Sequence, residues 1–285
     1  MQPFGGQLAQ LAEIRTLFSS HVAPFVGASR VALFGSCANG LWTRNSDIDL
    51  TFIVPACNAK VKTITKLRVI RDFLDKSTKH NFEFLPIVEN ARIPVLKVKY
   101  LKGPPLWVDV SINNISGVEN TKLVETWCRM DSRFAPLYHR IKQWATERNI
   151  NDRATGTLST YTLLLQLVYV FQTLGIFPLF STYQKSPDLQ SFDELNGIER
   201  ELPFGVPVVV RKDSYSEEFI LKHFFEIFSN FENGAEIIDG TVYPSDMNTL
   251  IMRCPLTGKD VNTMNSATWA KIHLEFARRS EATPA

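Results

Sequence analysis

The sequence predicts an α+β fold, with a mixed sheet and helices in its first part and a mainly α-helical second part. Three observations carry this. Before about residue 118, short β-branched and aromatic runs ending at glycine or proline alternate with helix-periodic segments. After it, long stretches keep a helical period and strand-like runs thin out. Finally, 285 residues exceed the usual size of one compact domain. The expected organisation is therefore a catalytic-type domain over 1–118 and a helical domain over 119–285, with the first helix left free to pack on the second.

The elements follow in order. "QLAQLAEIRTLFSSHV" places Leu8, Leu11, Ile14, Leu17 and Phe18 at helical spacing. "SRVALFG" reads as a strand ended by glycine, and "SDIDLTFIV" as a second strand stopped by Pro55. "KVKTITKLRVIRDFLDKST" is a helix with a basic outer side. "NFEFLPIVE", "IPVLKVKYL" and "LWVDVSIN" are strands, the last entered through Gly103-Pro104-Pro105. Hairpin-like turns among them make the sheet mixed or antiparallel. "TKLVETWCRMDSRFAPLYHRIKQWATERNI", "STYTLLLQLVYVFQTLGI" and "SEEFILKHFFEIFSNF" are the helical segments of the second part, and the closing "RRSEATPA" is expected to fray.

Composition narrows the function classes. The net charge is only +2, so a non-specific grip on nucleic acid would be modest. Cys37, Cys57, Cys128 and Cys254 are scattered without C-x-x-C pairing, which reads as free thiols in a reducing compartment. The most apolar run, Leu163 to Phe180, is broken by Gln166, Gln172, Gly175 and Pro178, and reads as a core helix. No membrane segment or leader is expected. The cytoplasm is the default location, with a mitochondrial address left open, and a monomer is expected.

The chemistry gathers in "FGSCANGLWTRNSDIDLTF". Side chains two apart on a strand share a face, so Asp47 and Asp49 should point one way while Ile48 and Leu50 face the core. An isolated D-x-D is more often a turn cap followed by an exposed strand residue. Two features argue for more. Gly35-Ser36 ends the preceding strand, where backbone can approach a ligand and hold phosphate oxygens. Asp109 lies in the strand "WVDVS", and a carboxylate there is costly unless paired or metal-bound. Three carboxylates from neighbouring strands suit Mg²⁺, or Mn²⁺, and ions held that way support nucleotidyl transfer.

"GSCANGLWTRNSDIDL" resembles the G-S-x₃-G-x₅-S-D-x-D signature of the DNA polymerase β-like nucleotidyltransferases. The helical half is similar to the non-canonical poly(A) polymerases and terminal uridylyltransferases, most of all the minimal trypanosomatid type. That resemblance implies a two-domain enzyme with a cleft between the domains. Asp47, Asp49 and Asp109 would be the catalytic and metal-binding acids, with Gly35 and Ser36 on the triphosphate. From "LYHRIKQWATERNIN" it implies Lys142 on the triphosphate. From "LSTYTLLLQLVYVFQ" it implies Thr160 on phosphate and Tyr161 stacked on the base. From "NISGVENTKLV" it implies Asn120 and Thr121 on the ribose. It aligns Asn262 of "CPLTGKDVNT" with an asparagine of the family's closing segment. Competing readings are a solvated lysine for Lys142, a core aromatic for Tyr161, and a helix N-cap for Asn120 and Thr121.

The sequence departs from the uridylyltransferase pattern at three places. Thr146 stands where a second lysine is usual, and Cys254 and Thr257 stand where acids flank the proline and aromatic; Asp260 lies close by. The expectation is an RNA 3′-terminal uridylyltransferase taking UTP and a single-stranded RNA end. ATP is the alternative donor, and a silent RNA-binding scaffold on the same fold the alternative class. Lys97, Lys99 or Arg140 would guide the RNA backbone, and a protein partner would supply further grip.

Overall fold

A computed structural model describes residues 5–77, 81–179, 215–238, 240–262 and 264–282. The chain divides into two compact units, the first ending at Thr126 and the second beginning at Trp127.

The first unit opens with helix α1 (Gly5–Leu17), which continues through a π-helical turn (Phe18–Val22) into the short α2 (Ala23–Val26). The wider turn keeps Ile14, Phe18 and Val22 on one buried face, packed into the same core as the sheet residues Ile48, Leu50, Phe52, Val108 and Val110. Strand β1 (Arg30–Phe34), the single turn α3 (Ser36–Asn39), strand β2 (Ile48–Ile53) and helix α4 (Lys60–Ser77) follow. Then come β3 (Phe82–Phe84), β4 (Leu96–Tyr100) and β5 (Leu106–Ile112). Among the described residues these form a five-stranded sheet in the order β1-β2-β5-β4-β3. β2 and β5 are parallel and the other pairs antiparallel, so the sheet is mixed. Alternation decides its faces: Leu96, Val98 and Tyr100 are buried while Lys97 and Lys99 lie on the other side.

The segment 81–89 is a shorter strand than its apolar content suggests. Pairing stops at Phe84, two residues before Pro86, and resumes only as a bridge between Val88 and Val95. The far end of β2 is clamped by Asn113, whose side chain bonds Val54 N at 2.8 Å, Val54 O at 2.9 Å and Cys57 O at 3.2 Å.

Helix α5 (Ile115–Met130) carries the chain from the first unit into the second. The long periodic segment starting at Thr121 is in fact two helices, α5 and α6 (Phe134–Glu147). Between them the Asp131 carboxylate accepts from the backbone N–H and the guanidinium of Arg133, both at 2.9 Å, and ends the first helix. Helix α7 (Thr160–Thr173) is capped by Ser159 and buried on nearly every side, so it is a core helix. Among the described residues no helix is long and apolar enough to cross a membrane. Helix α8 (Glu217–Ser229), strands β6 (Ala235–Ile238), β7 (Thr241–Tyr243) and β8 (Leu250–Met252), and helix α9 (Ser266–Glu281) complete the unit. The three strands form a small sheet that the sequence reading lacked, each being only three or four residues long. Arg278 to Glu281, expected to fray, form the last turn of α9. The core of this unit is aromatic, with Trp144 packed against Phe225 at 4.8 Å and Phe276 at 5.0 Å between ring centroids.

Phe18 sits in the π-helical turn with no exposed surface and two aromatic neighbours, Phe52 and Phe82. Phe18→Ala is expected to destabilise the first unit by about 3–5 kcal/mol, read from urea unfolding followed by circular dichroism.

Candidate active site

Sheet register places two of the three acids, on the interior strands β2 and β5. Asp49 of β2 is directly opposite Asp109 of β5, and Asp109 is directly opposite Lys97 of β4. The row thus reads carboxylate, carboxylate, ammonium across three neighbouring strands. Lys97 Nζ lies 2.9 Å from Asp109 Oδ2, whereas Asp109 Oδ1 is buried without a hydrogen-bond partner. A carboxylate oxygen left so is costly unless something positive fills the gap.

Asp47 precedes β2 rather than lying in it, so the expected strand alternation does not orient it. Its loop is fastened instead by polar bonds. Ser46 N–H donates to Thr43 O at 3.0 Å, Trp42 Nε1 donates to Ser46 O at 3.2 Å, and Thr43 N–H donates to Ser46 Oγ at 3.2 Å. Ile48 and Leu50 are fully buried, as their positions require.

Gly35 follows β1 at φ +69°, ψ −156°, a conformation that side chains other than hydrogen rarely adopt. A Cβ there would stand 2.2 Å from Asp49 Oδ2, so glycine makes room for the acid. Its N–H is not open to phosphate: it donates to Thr121 Oγ1 at 2.7 Å. Thr121 in turn donates to Gly117 O at 2.7 Å, which ties α5 to the glycine turn. Ser36 opens α3 next to it, half-buried.

Asn120 and Thr121 lie within α5 and are not its cap. That role falls to Asn114, whose Oδ1 accepts from Gly117 N–H at 3.0 Å. Asn120 remains half-buried beside Thr121.

Burial, first, and the neighbouring Asp109 and Asp47 push the Asp49 carboxyl up from 3.8 to about 7, with Lys97 opposing the rise. The same three acids raise Lys97, against the effect of its burial. Among the described residues no three histidine, cysteine, aspartate or glutamate side chains stand close enough to ligate one ion as they are placed. The residues nevertheless fit a hard divalent cation: an orphaned buried Oδ1, a glycine cradle against Asp49, and donors that are all oxygen.

The second unit holds the other expected residues. Lys142 lies half-buried on α6, and together with burial it holds His139 below its ordinary pKa. Thr160, exposed, and Tyr161, half-buried, open α7 behind the Ser159 cap. The Tyr161 hydroxyl meets Cys254 Sγ at 3.6 Å. Asn262 accepts from Thr162 Oγ1 at 2.7 Å and donates to Leu250 O at 2.7 Å, which locks the closing segment to α7. Asp260 Oδ1 accepts from the N–H groups of Met252 and Asn262, at 3.2 and 3.0 Å, so it shapes this segment. Of the suggested RNA guides, Lys97 faces Asp109, Lys99 pairs with Glu83 at 3.5 Å, and Arg140 holds Glu218 through two bonds. Sequence reasoning missed the Lys97–Asp109 pair, the Thr121–Gly35 tie and the Tyr161–Cys254 contact. The first had a signal, because a hairpin centred on Gly103 sets Lys97 opposite Asp109.

A mixed sheet that brings a glycine turn and two acids of adjacent parallel strands together defines a nucleotidyltransferase palm. Comparison with known proteins agrees. The family described as "Poly(A) RNA polymerase, mitochondrial-like, central palm domain" matches residues 3–129. The poly(A) RNA polymerase GLD2 of Bos taurus is 30% identical over 236 residues, 79% of this chain and 47% of that protein. The chain therefore spans about half the length of that relative. Among solved structures, a Cid1 poly(U) polymerase variant bound to MgATP superposes with a TM-score of 0.74 at 21% identity, covering 98% of this chain and 90% of that one. An mtPAP complex with ATPγS gives 0.75 at 17% identity, covering 95% and 64%. The chain is thus similar to the polymerase β-like, non-canonical poly(A) RNA polymerases, with the family match over residues 3–129, and its likeness to the poly(U) polymerase is one of fold.

The raised Asp49 carboxyl fixes the sign of a pH effect. Between about 4 and 7 the native protein holds a proton that the unfolded chain has lost, so this stabilisation fades as pH rises. In EDTA, the wild type is expected to lose about 2 kcal/mol from this group between about pH 5.5 and 8, and Asp49→Asn to lose none of it. Urea unfolding at the two pH values measures the difference.

Proposed function

We propose that this chain transfers nucleoside monophosphates from nucleoside triphosphates to the 3′ end of single-stranded RNA, and that it takes ATP in preference to UTP. The observation that carries the transfer reading is the Asp49–Asp109 pair with its orphaned oxygen beside Gly35. Asp47, Asp49 and Asp109 would hold Mg²⁺ or Mn²⁺. A divalent ion there supplies the positive charge that favours an attacking hydroxyl and a departing pyrophosphate.

The chain's own residues do the rest. Asp109 would offer its unpartnered Oδ1 to the ion that activates the RNA 3′-hydroxyl, while Gly35 leaves Asp49 the space it needs. Thr121 fixes the glycine turn, and Ser36 offers its hydroxyl to phosphate. Lys142 contributes positive charge to the triphosphate, and Thr160 a hydroxyl. Asn120 serves the ribose, and Tyr161 offers its ring to the base.

Base choice rests on the surroundings of Tyr161. Selecting uracil calls for an acceptor facing its imide N–H. The Tyr161 hydroxyl meets the Cys254 thiol, a weak acceptor, where the uridylyltransferase pattern has an acid. Stacking alone does not select uracil and favours the larger purine. Similarity to GLD2, itself named a poly(A) RNA polymerase, supports the same donor. Uridylyl transfer is the second reading, since Cid1, of similar fold, is named a poly(U) polymerase.

Incubation of single-stranded RNA with each labelled nucleoside triphosphate and Mg²⁺ tests the proposal. ATP is expected to extend the RNA most. Extension by UTP alone would reverse the donor assignment, and no extension with any donor would favour a silent scaffold. Asp109→Ala is expected to lower transfer by at least about a thousandfold while the circular dichroism spectrum stays unchanged. Cys254→Asp, which places a carboxylate beside Tyr161, is expected to shift the UTP/ATP ratio of kcat/KM toward UTP by about tenfold.

A further inference from the structure

We infer that Lys97 is a built-in occupant of the divalent-cation site: its ammonium holds Asp109 in the metal-free protein, and a metal ion binds by displacing it. This rests on the transfer reading above and adds to it a residue that sets metal affinity.

Lys97 is the β4 residue directly opposite Asp109, and Asp109 is directly opposite Asp49. Antiparallel partners on one face bring their side chains together, so the sheet itself delivers an ammonium to the middle acid. Lys97 takes only one of that acid's oxygens, Oδ2 at 2.9 Å. Oδ1 stays buried and unpartnered. A pair made only for stability would be expected to satisfy both oxygens. The half-satisfied arrangement suits a carboxylate that exchanges one cation for another.

Lys97 is also able to leave. Its side chain is 37% exposed, and its flexible stem lets the ammonium swing toward water. Lys99, two residues on and on the same face, is differently placed: it pairs with Glu83 and lies 5.7 Å from the Trp107 ring centroid. As the side chains stand with Lys97 on Asp109, no three acids converge on one point among the described residues. Two cations drawing on one carboxylate repel each other and compete for its charge, so binding of a divalent ion favours release of the ammonium. Lys97 thus makes the neighbouring carboxylates tolerable in the empty protein, and weakens metal binding by the same interaction.

The test is Mn²⁺ titration of the full chain without nucleotide or RNA, following the free-ion electron paramagnetic resonance signal. Lys97→Met and Lys97→Gln are expected to bind Mn²⁺ about tenfold more tightly than wild type, because a nearby like charge has been removed. Lys97→Arg, which keeps the charge, is expected to bind no tighter than wild type, and Lys99→Met to bind as wild type does. In EDTA the two neutral variants should melt at lower temperature, and Mn²⁺ should close that gap. Equal or weaker Mn²⁺ binding by both neutral variants, with native circular dichroism, would overturn the inference and leave the metal reading of the acids standing. Absence of Asp109-dependent Mn²⁺ binding in wild type and all variants, checked against Asp109→Asn, would overturn both.

Discussion

The structure of the site depends on the repulsion between Asp49 and Asp109. Two parallel strands in register set these carboxylates side by side, and sheet geometry leaves neither a way to move off. Burial first, and the repulsion from Asp109 and Asp47 second, push the Asp49 carboxyl to about 7. The surrounding features answer this one constraint. Lys97 brings a positive charge, Gly35 gives Asp49 room, and Thr121 accepts from the Gly35 N–H and ties α5 to the glycine turn.

The core behind the row makes it rigid. Ile48, Leu50, Val108 and Val110 alternate with the acids and are fully buried, so a slip of one residue would expose them. Phe18 and Val22, carried by the π-helical turn, pack into the same core. Asn113 pins the far end of β2 through three bonds.

Much of this was legible in the sequence, and what was not has physical reasons. The glycine, the serine and the acids could be read because their chemistry depends on local spacing. The mixed sheet followed from strand runs separated by turns. Asp47 was misplaced onto the strand because D-x-D spacing cannot show where pairing begins. The break at Asp131–Arg133 was hidden because a side-chain bond, rather than proline or glycine, ends the helix. β6, β7 and β8 are too short to show alternation. The competing cap reading of Asn120 and Thr121 fails because α5 begins earlier, with Asn114, six residues before Asn120, as its cap. The contacts of Tyr161 with Cys254 and of Thr162 with Asn262 join residues about a hundred apart, which no local pattern reports.

On the proposed reading, the missing positive charge between Asp49 and Asp109 is a divalent ion that takes over from Lys97. A crystal grown with Mn²⁺ and a non-hydrolysable ATP analogue, measured at the manganese absorption edge, tests it most directly. An anomalous peak at the carboxylates of both acids is expected, with the Lys97 ammonium moved off Asp109 Oδ2. Lys97 still seated on Asp109, and no peak at either carboxylate, would contradict it.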